Sequence, residues 1–406
     1  MKIRVVDSVP GSGKTEAAIA FMNAHPDRKF LFVTPYLNEI DRIKRSCPGL
    51  LFEEPESDGP YSSKLTAFNT LLSHGRNIAS THALFAYYTD ETRELLASGG
   101  YTLILDEVMN VIEKENLKQM DLEMLLKSGC IELEEDGIHV RWLRDDYHGR
   151  FNELKKKAKQ RNLLMFENTI LFWSLPAHSF SVFEEVFVLT YLFEAQMQCY
   201  YYRMHNLEFE YMGVDKTDKG YEFVDYASVP EYARRLIDKV HILYDEKANS
   251  IGKQPSALSS NWYNLDRKYG GEKVKKLSRA IYNVLHNKFR TSVRDAIWTT
   301  YKEQRNCVAH KRYNQCFVSC NARATNAYRD RHYLAYCVNI YFQPILKRYF
   351  ISQGVEVHED RYALSEMIQW VWRSAIRCGE EIWIYVPSSR MRGLLKGWLE
   401  ELANAP

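Results

Sequence analysis

The feature that most constrains this chain is a strand that breaks through two glycines into a helix. Ile3–Asp7 is apolar and rich in branched side chains, Ser8-Val9-Pro10-Gly11-Ser12-Gly13-Lys14-Thr15 follows, and a helix-like stretch runs from Thr15 to Asn23. Glycine tolerates the backbone angles that turn successive N–H groups inward around an anion. The helix N-terminus adds a favourable partial positive charge. Lys14 is placed to reach the β- and γ-phosphates of a nucleoside triphosphate, and the Thr15 hydroxyl to ligate Mg²⁺. Ser8 stands where the general P-loop pattern has its first glycine, as in the Ala-x-x-Gly-x-Gly-Lys-Thr variant, where a small residue suffices. Pro10, Gly11, Ser12, Gly13, Lys14 and Thr15 are therefore the candidate nucleotide-binding residues, with ATP and Mg²⁺ as the implied cofactors.

A second segment supplies carboxylates. Tyr101-Thr-Leu-Ile-Leu-Asp106-Glu107 reads as a buried apolar strand ending in two acids. Such a strand delivers Asp106 to the carboxyl edge of a sheet, beside the P-loop, where it would hold Mg²⁺ together with Thr15. Glu107 would then polarise the attacking water. The expectation is hydrolysis and not binding alone.

The first hundred residues alternate strand and helix signals at the spacing of a parallel sheet. Candidate strands are Ile3–Asp7, Phe30–Thr34, Asn77–Thr81 and Thr102–Asp106, with Val186–Thr190 completing the sheet. Residues 113–168 break this rhythm and read as an insertion with a hairpin-like piece (Ile131–Leu133 and His139–Trp142 around Asp136-Gly137). Their lysine run, Lys155–Lys157, reads as a solvated helix face before it reads as a nucleic-acid track. The polar stretch from Arg203 to Asp225 is the expected boundary, dividing the chain into residues 1–205 and 206–406. Helix-like stretches beyond it are Glu272–Phe289, Val293–Arg305, Ser365–Cys378 and Arg390–Leu402; strand candidates are His241–Tyr244, Gln315–Cys320 and Glu381–Val386.

Composition adds exclusions. A net charge of +2 means no global basic field, although a large protein can confine basic surface to one groove. No apolar run approaches the ~20 residues of a membrane helix, and MKIRVVD reads as a strand and not as a leader, so a cytoplasmic protein is expected. The eight cysteines are scattered, as for reduced thiols in such a compartment. Cys307, His310, Cys316 and Cys320 do not have zinc-knuckle spacing, and Cys316–Cys320 reads as a strand with buried thiols.

With Asp106-Glu107-Val108-Met109 in place, the chain resembles a superfamily 2 helicase, whose hallmark is a DExx box. Phe32-Val33-Thr34-Pro35-Tyr36 resembles motif Ia, and Ala79-Ser80-Thr81-His82 the next backbone-contacting motif. Val188-Leu189-Thr190-Tyr191 is similar to motif III, whose Thr190 would couple the ATP site to the polymer. Arg323-Ala324-Thr325-Asn326-Ala327 resembles motif V of DEAH-type helicases. Gln369-Trp-Val-Trp-Arg373-Ser-Ala-Ile-Arg377 is similar to motif VI, with Trp372 in place of glycine. The tail from Ile384 to Arg392 resembles the close of helicase-like proteins of phages and mobile elements. No Q-motif is evident.

The resemblance implies an α/β protein of two tandem RecA-like P-loop NTPase domains, each a mainly parallel sheet flanked by helices. Gln369, Arg373 and Arg377 would face the γ-phosphate across the domain cleft, Arg373 and Arg377 sharing one face of a helix. Thr34, Pro35, Ser80, Thr81 and His82 would contact nucleic acid from the first domain, and Thr325 and Asn326 from the second. The implied function is an ATP-dependent helicase or translocase acting on single-stranded or duplex nucleic acid, DNA ahead of RNA. Replication or recombination proteins would be its partners, and a bacterial host cytoplasm its place if phage-encoded. The alternative is a P-loop ATPase that never separates strands, a packaging-type motor or a nucleotide switch.

Overall fold

Strands with apolar side chains on both faces need helices on both sides, and the first strands of this chain are of that kind. The computed structural model describes residues 1–57, 63–218, 220–226, 234–321 and 327–404. It opens with β1 (Lys2–Asp7), β2 (Lys29–Thr34), β3 (Ile78–Thr81) and β4 (Tyr101–Asp106). Residues of β4 are buried along its whole length. Then the chain leaves the sheet. β5 (Ile112–Lys114), β8 (Leu163–Phe166) and β9 (Ile170–Ser174) form an antiparallel sheet, with β6 (Ile131–Leu133) and β7 (Val140–Trp142) as a hairpin between them. This unit has its own core, including Leu125, Trp142 and Leu163.

The chain returns through β10 (Glu185–Thr190), which inserts between β1 and β4. β11 (Phe209–Thr217) pairs parallel to β1, and β12 (Gly220–Asp225) closes the edge antiparallel to β11. The seven-stranded order is β12-β11-β1-β10-β4-β2-β3. The expected break at residue 206 is thus corrected: residues 209–225 belong to the first sheet. Their polar look has a physical cause. They form the sheet's edge, where much of each strand stays in water.

The second sheet holds β13 (Val240–Leu243), β14 (Ala296–Thr299), β15 (Tyr333–Tyr336) and β16 (Ile382–Tyr385), all parallel, in the order β13-β16-β15-β14. The helix expected over Val293–Arg305 is replaced by β14, whose Ala-Ile-Trp-Thr is fully buried beside β15; pairing overrides local preference. The strand expected at Gln315–Cys320 does not form: Gln315 and Cys316 end a 3₁₀ turn, Lys311–Cys316, and beside β14 Phe317 makes an isolated bridge to Trp298, whose indole donates to Tyr313 O at 2.7 Å.

The halves are packed together at two places. Helix Pro344–Ser352 sends Leu346, Tyr349 and Phe350 into the first core. Tyr349 meets Phe166 and Phe172 at 5.3 and 4.9 Å, and Arg348 pairs with Glu167 at 3.1 Å. In the other direction Val9 of the P-loop is buried in the second core with Trp372 and Trp398.

Candidate active site

Gly11 and Gly13 of the P-loop have φ of 85° and 92°, and Gly13 caps helix Lys14–Ala24 without any side-chain cap. The first amides of that helix are therefore supplied to the loop's concave side. The Ser8 and Ser12 hydroxyls are buried, with no hydrogen-bond partner among the described residues. Lys14 Nζ folds back to donate to the carbonyls of Ser8 (2.6 Å) and Val9 (3.2 Å). Burial lowers the Lys14 pKa, opposed by Glu107, Asp7 and Asp106.

Asp106 ends β4 beside this loop. Thr15 Oγ1 donates to its Oδ1 at 3.3 Å and Thr34 Oγ1 to its Oδ2 at 3.2 Å. His82 Nε2 lies 3.1 Å from its carbonyl oxygen. Burial, and then the neighbouring Glu107, push its pKa up to about 7. Glu107 has φ of 69° while its N–H is held by Leu189 O at 3.0 Å. That conformation, costly for a residue with a side chain, ends the strand abruptly, and Glu107 lines the cleft.

That cleft, about 300 Å³, lies between the two halves. Its walls bring Pro10, Tyr36 and Glu107 from the first half to Glu366, Gln369, Arg373 and Arg377 from the second. The expected shared helix face is corrected. Helix Glu359–Val371 stops before both arginines, and Arg377 lies in a 3₁₀ turn, Ala375–Cys378. Ser374 explains the stop: its hydroxyl donates to the Val371 carbonyl at 2.6 Å, and its own backbone is extended. Arg373 is buried, its Nη1 without a hydrogen-bond partner among the described residues and its pKa lowered by that burial; Arg377 is exposed.

The donor set suits a magnesium-bound triphosphate. Hard oxygen ligands from Thr15 and Asp106 stand together. Buried serine hydroxyls and a lysine ammonium line the loop, and two guanidinium groups face it across the cleft.

Several expected nucleic-acid contacts have other tasks. Thr34 and Ser80 are buried, Thr34 holding Asp106 and accepting from Tyr36 N at 3.3 Å. Thr81 Oγ1 caps the next helix by accepting from Leu84 N, and His82 faces the Asp106 backbone. Strand ends next to the acid pair are drawn into supporting it. Pro35 is half-buried; Thr325 and Asn326 lie outside the described residues. Within the insertion Lys155 donates to the Asp145 and Tyr147 carbonyls, while Lys156 and Lys157 pair with Glu153 and Glu115.

Thr190 is buried, its carbonyl accepting from Ser8 N at 3.1 Å. The turn after it carries residues that sequence reasoning missed. Asp7 accepts from Leu192 N (2.8 Å) and Phe193 N (3.0 Å), its pKa pushed to about 6 by burial against these bonds. Gln196 donates to Ser365 of the second half at 2.9 Å, and Trp398 donates to the Tyr191 hydroxyl at 2.8 Å. Gln198, in the helix Met197–Met204 that follows the turn, accepts from Met109 N at 2.9 Å, two residues past Glu107. Glutamines scattered over a turn carry no spacing signal; only their burial marks them.

Two RecA-like α/β units facing each other across a P-loop cleft define the class of this protein. The fold aligns with the structure of S. tokodaii Xpd4 over 98% of this chain and 94% of that one, at 11% identity and a TM-score of 0.51. A structure titled XPD_Helicase aligns over 100% and 95%, at 12% identity and a TM-score of 0.49. Family models described as the YonV middle domain and the YonV C-terminal Rossmann-like domain match residues 112–173 and 234–399. The SPbeta prophage-derived uncharacterized protein YonV of Bacillus subtilis (strain 168) is 40% identical over 98% of this chain and 99% of its own length. The chain belongs to the YonV family. Among the described residues, no helix is long and apolar enough to cross a membrane.

Proposed function

We propose that this protein is an Mg²⁺-dependent nucleoside triphosphatase, ATP its expected substrate, that uses hydrolysis to move on or unwind nucleic acid. One observation carries the reading: Glu107 and the Gln369, Arg373 and Arg377 set line one cleft with Pro10 of the P-loop, although some 260 residues separate Glu107 from that set in sequence. Thr15 and Asp106 would hold the ion, which supplies charge neutralisation at the phosphates when bound. Lys14 leaves the Ser8 and Val9 carbonyls for the phosphates. Glu107 orients the attacking water and accepts its proton. Arg373 and Arg377 meet the negative charge that builds on the transferred phosphoryl group.

Movement is supported by where these groups sit. The arginines belong to one half and the P-loop to the other, so γ-phosphate loss removes a bridge between them. The segment at residues 189–198 accepts from Glu107 N and Met109 N on one side and bonds the second half on the other, which suits it to carry that change. The motif resemblance names the track as nucleic acid. ATP turnover measured with and without single-stranded DNA or RNA tests the reading. Stimulation by a polymer, lost in Lys14→Ala, is expected; turnover indifferent to both polymers refutes the motor and leaves a switch.

A further inference from the structure

The site described so far accounts for the phosphates but not for the nucleoside. The strand order says where that end must lie. Glu107 follows β4, two strands from β1 on one side, and the arginine wall faces it there. A triphosphate whose γ end lies at Glu107 turns its nucleoside toward the other side of β1, where β11 and β12 stand. Tyr221 on β12 occupies that place. A Cβ added to Gly13 would meet its Cδ1 and Cε1 at 2.2 and 2.3 Å, so the ring lies directly against the residue that caps the phosphate helix.

Lys216 is the cross-strand partner of Tyr221, and its Nζ stands over the ring, 5.8 Å from the centroid. Lys216 is exposed and Tyr221 half-buried, so a planar group arriving over this ring displaces only a solvated side chain. The hairpin is well anchored: Phe223, on the same face as Tyr221, stacks on Phe187 at 5.2 Å and meets Phe21 at 5.8 Å.

We propose that the β11–β12 hairpin is the nucleoside-binding element, with Tyr221 stacking on the nucleobase and Lys216 reaching the α-phosphate. This rests on the P-loop reading above and extends it to the base. An aromatic platform binds any base through its π face, and its loss costs a stacked base on the order of tenfold or more in affinity.

The test compares Mg²⁺-ATP with Mg²⁺-tripolyphosphate, which has the phosphates without the nucleoside, by calorimetric titration of the full chain. Tyr221→Ala should weaken ATP about tenfold and leave tripolyphosphate within about twofold; Tyr221→Phe should match wild type on both. Tyr221→Leu, which keeps apolar packing on Gly13 without a π face, should behave like Tyr221→Ala. Variants that bind ATP normally, or that weaken both ligands equally as a deformed loop would, overturn the inference and leave the P-loop reading standing. A wild-type chain that binds neither ligand refutes the P-loop reading, and this inference with it.

Discussion

Asp106→Asn should stabilise this protein at alkaline pH while abolishing the proposed hydrolysis. Asp106 is 8% exposed, and its pKa stands at about 7 against 3.8 for a free aspartate, chiefly through burial. The folded state therefore holds this proton more tightly than the unfolded chain does. Its contribution to stability is fully present below pH 3.8 and is lost as pH rises through about 7. At about 1.4 kcal/mol per pH unit, the part of that window between pH 5 and 7 is worth roughly 3 kcal/mol. Asparagine mimics the neutral acid and does not titrate. Altered bonds to Thr15 and Thr34 shift the variant by a constant, and Asp7 titrates in both proteins, so neither affects the comparison. Thermal unfolding at pH 5 and pH 8 reads the effect. Relative to the variant, wild type should lose about 3 kcal/mol, or roughly 6–12 °C for a unit of about 200 residues. Mg²⁺-ATP at pH 8 should restore wild type, whose ionised carboxylate can meet the ion, and do little for the variant. A difference in melting temperature that stays constant from pH 5 to pH 8 refutes the reasoning.

Three further outcomes follow from the same geometry. Arg373→Ala and Arg377→Ala should each lower kcat by about 10²–10³-fold with ATP affinity largely kept; single-turnover rates near wild type for Arg377→Ala would remove it from the site. Gly13→Ala forces a side chain onto the Tyr221 ring and into a φ of 92°, so triphosphate binding should vanish and stability fall by about 1–3 kcal/mol, read by titration and melting. Gln196→Ala and Ser365→Ala, combined in a double-mutant cycle on polymer-stimulated turnover, should show a coupling of about 0.5–1.5 kcal/mol. Strict additivity would mean that their bond carries nothing between the halves.

The sequence by itself determined the parts whose chemistry is contiguous. A P-loop is a local device: glycines, lysine and threonine in one octapeptide already dictate the strand, the turn and the helix, and β4 presents Asp106 because its apolar run ends there. The α/β class follows from the same alternation, and the structure bears it out with two mainly parallel sheets flanked by helices.

What only the tertiary structure decided depends on groups distant in sequence. β11 and β12 look like a linker because an edge hairpin keeps polar residues, and only pairing with β1 makes them part of the sheet. Thr34 and Ser80 read as surface contacts, yet both are buried, and Thr34 donates to the Asp106 carboxylate, since a buried carboxylate needs donors; His82 meets the Asp106 backbone carbonyl. Ser374 ends a helix that periodicity would have carried through both arginines. Most of all, the cleft itself is tertiary. Nothing local to Glu107 or Arg373 says that they meet, and they do so because Val9, Tyr191, Trp372 and Trp398 bury apolar surface between the halves.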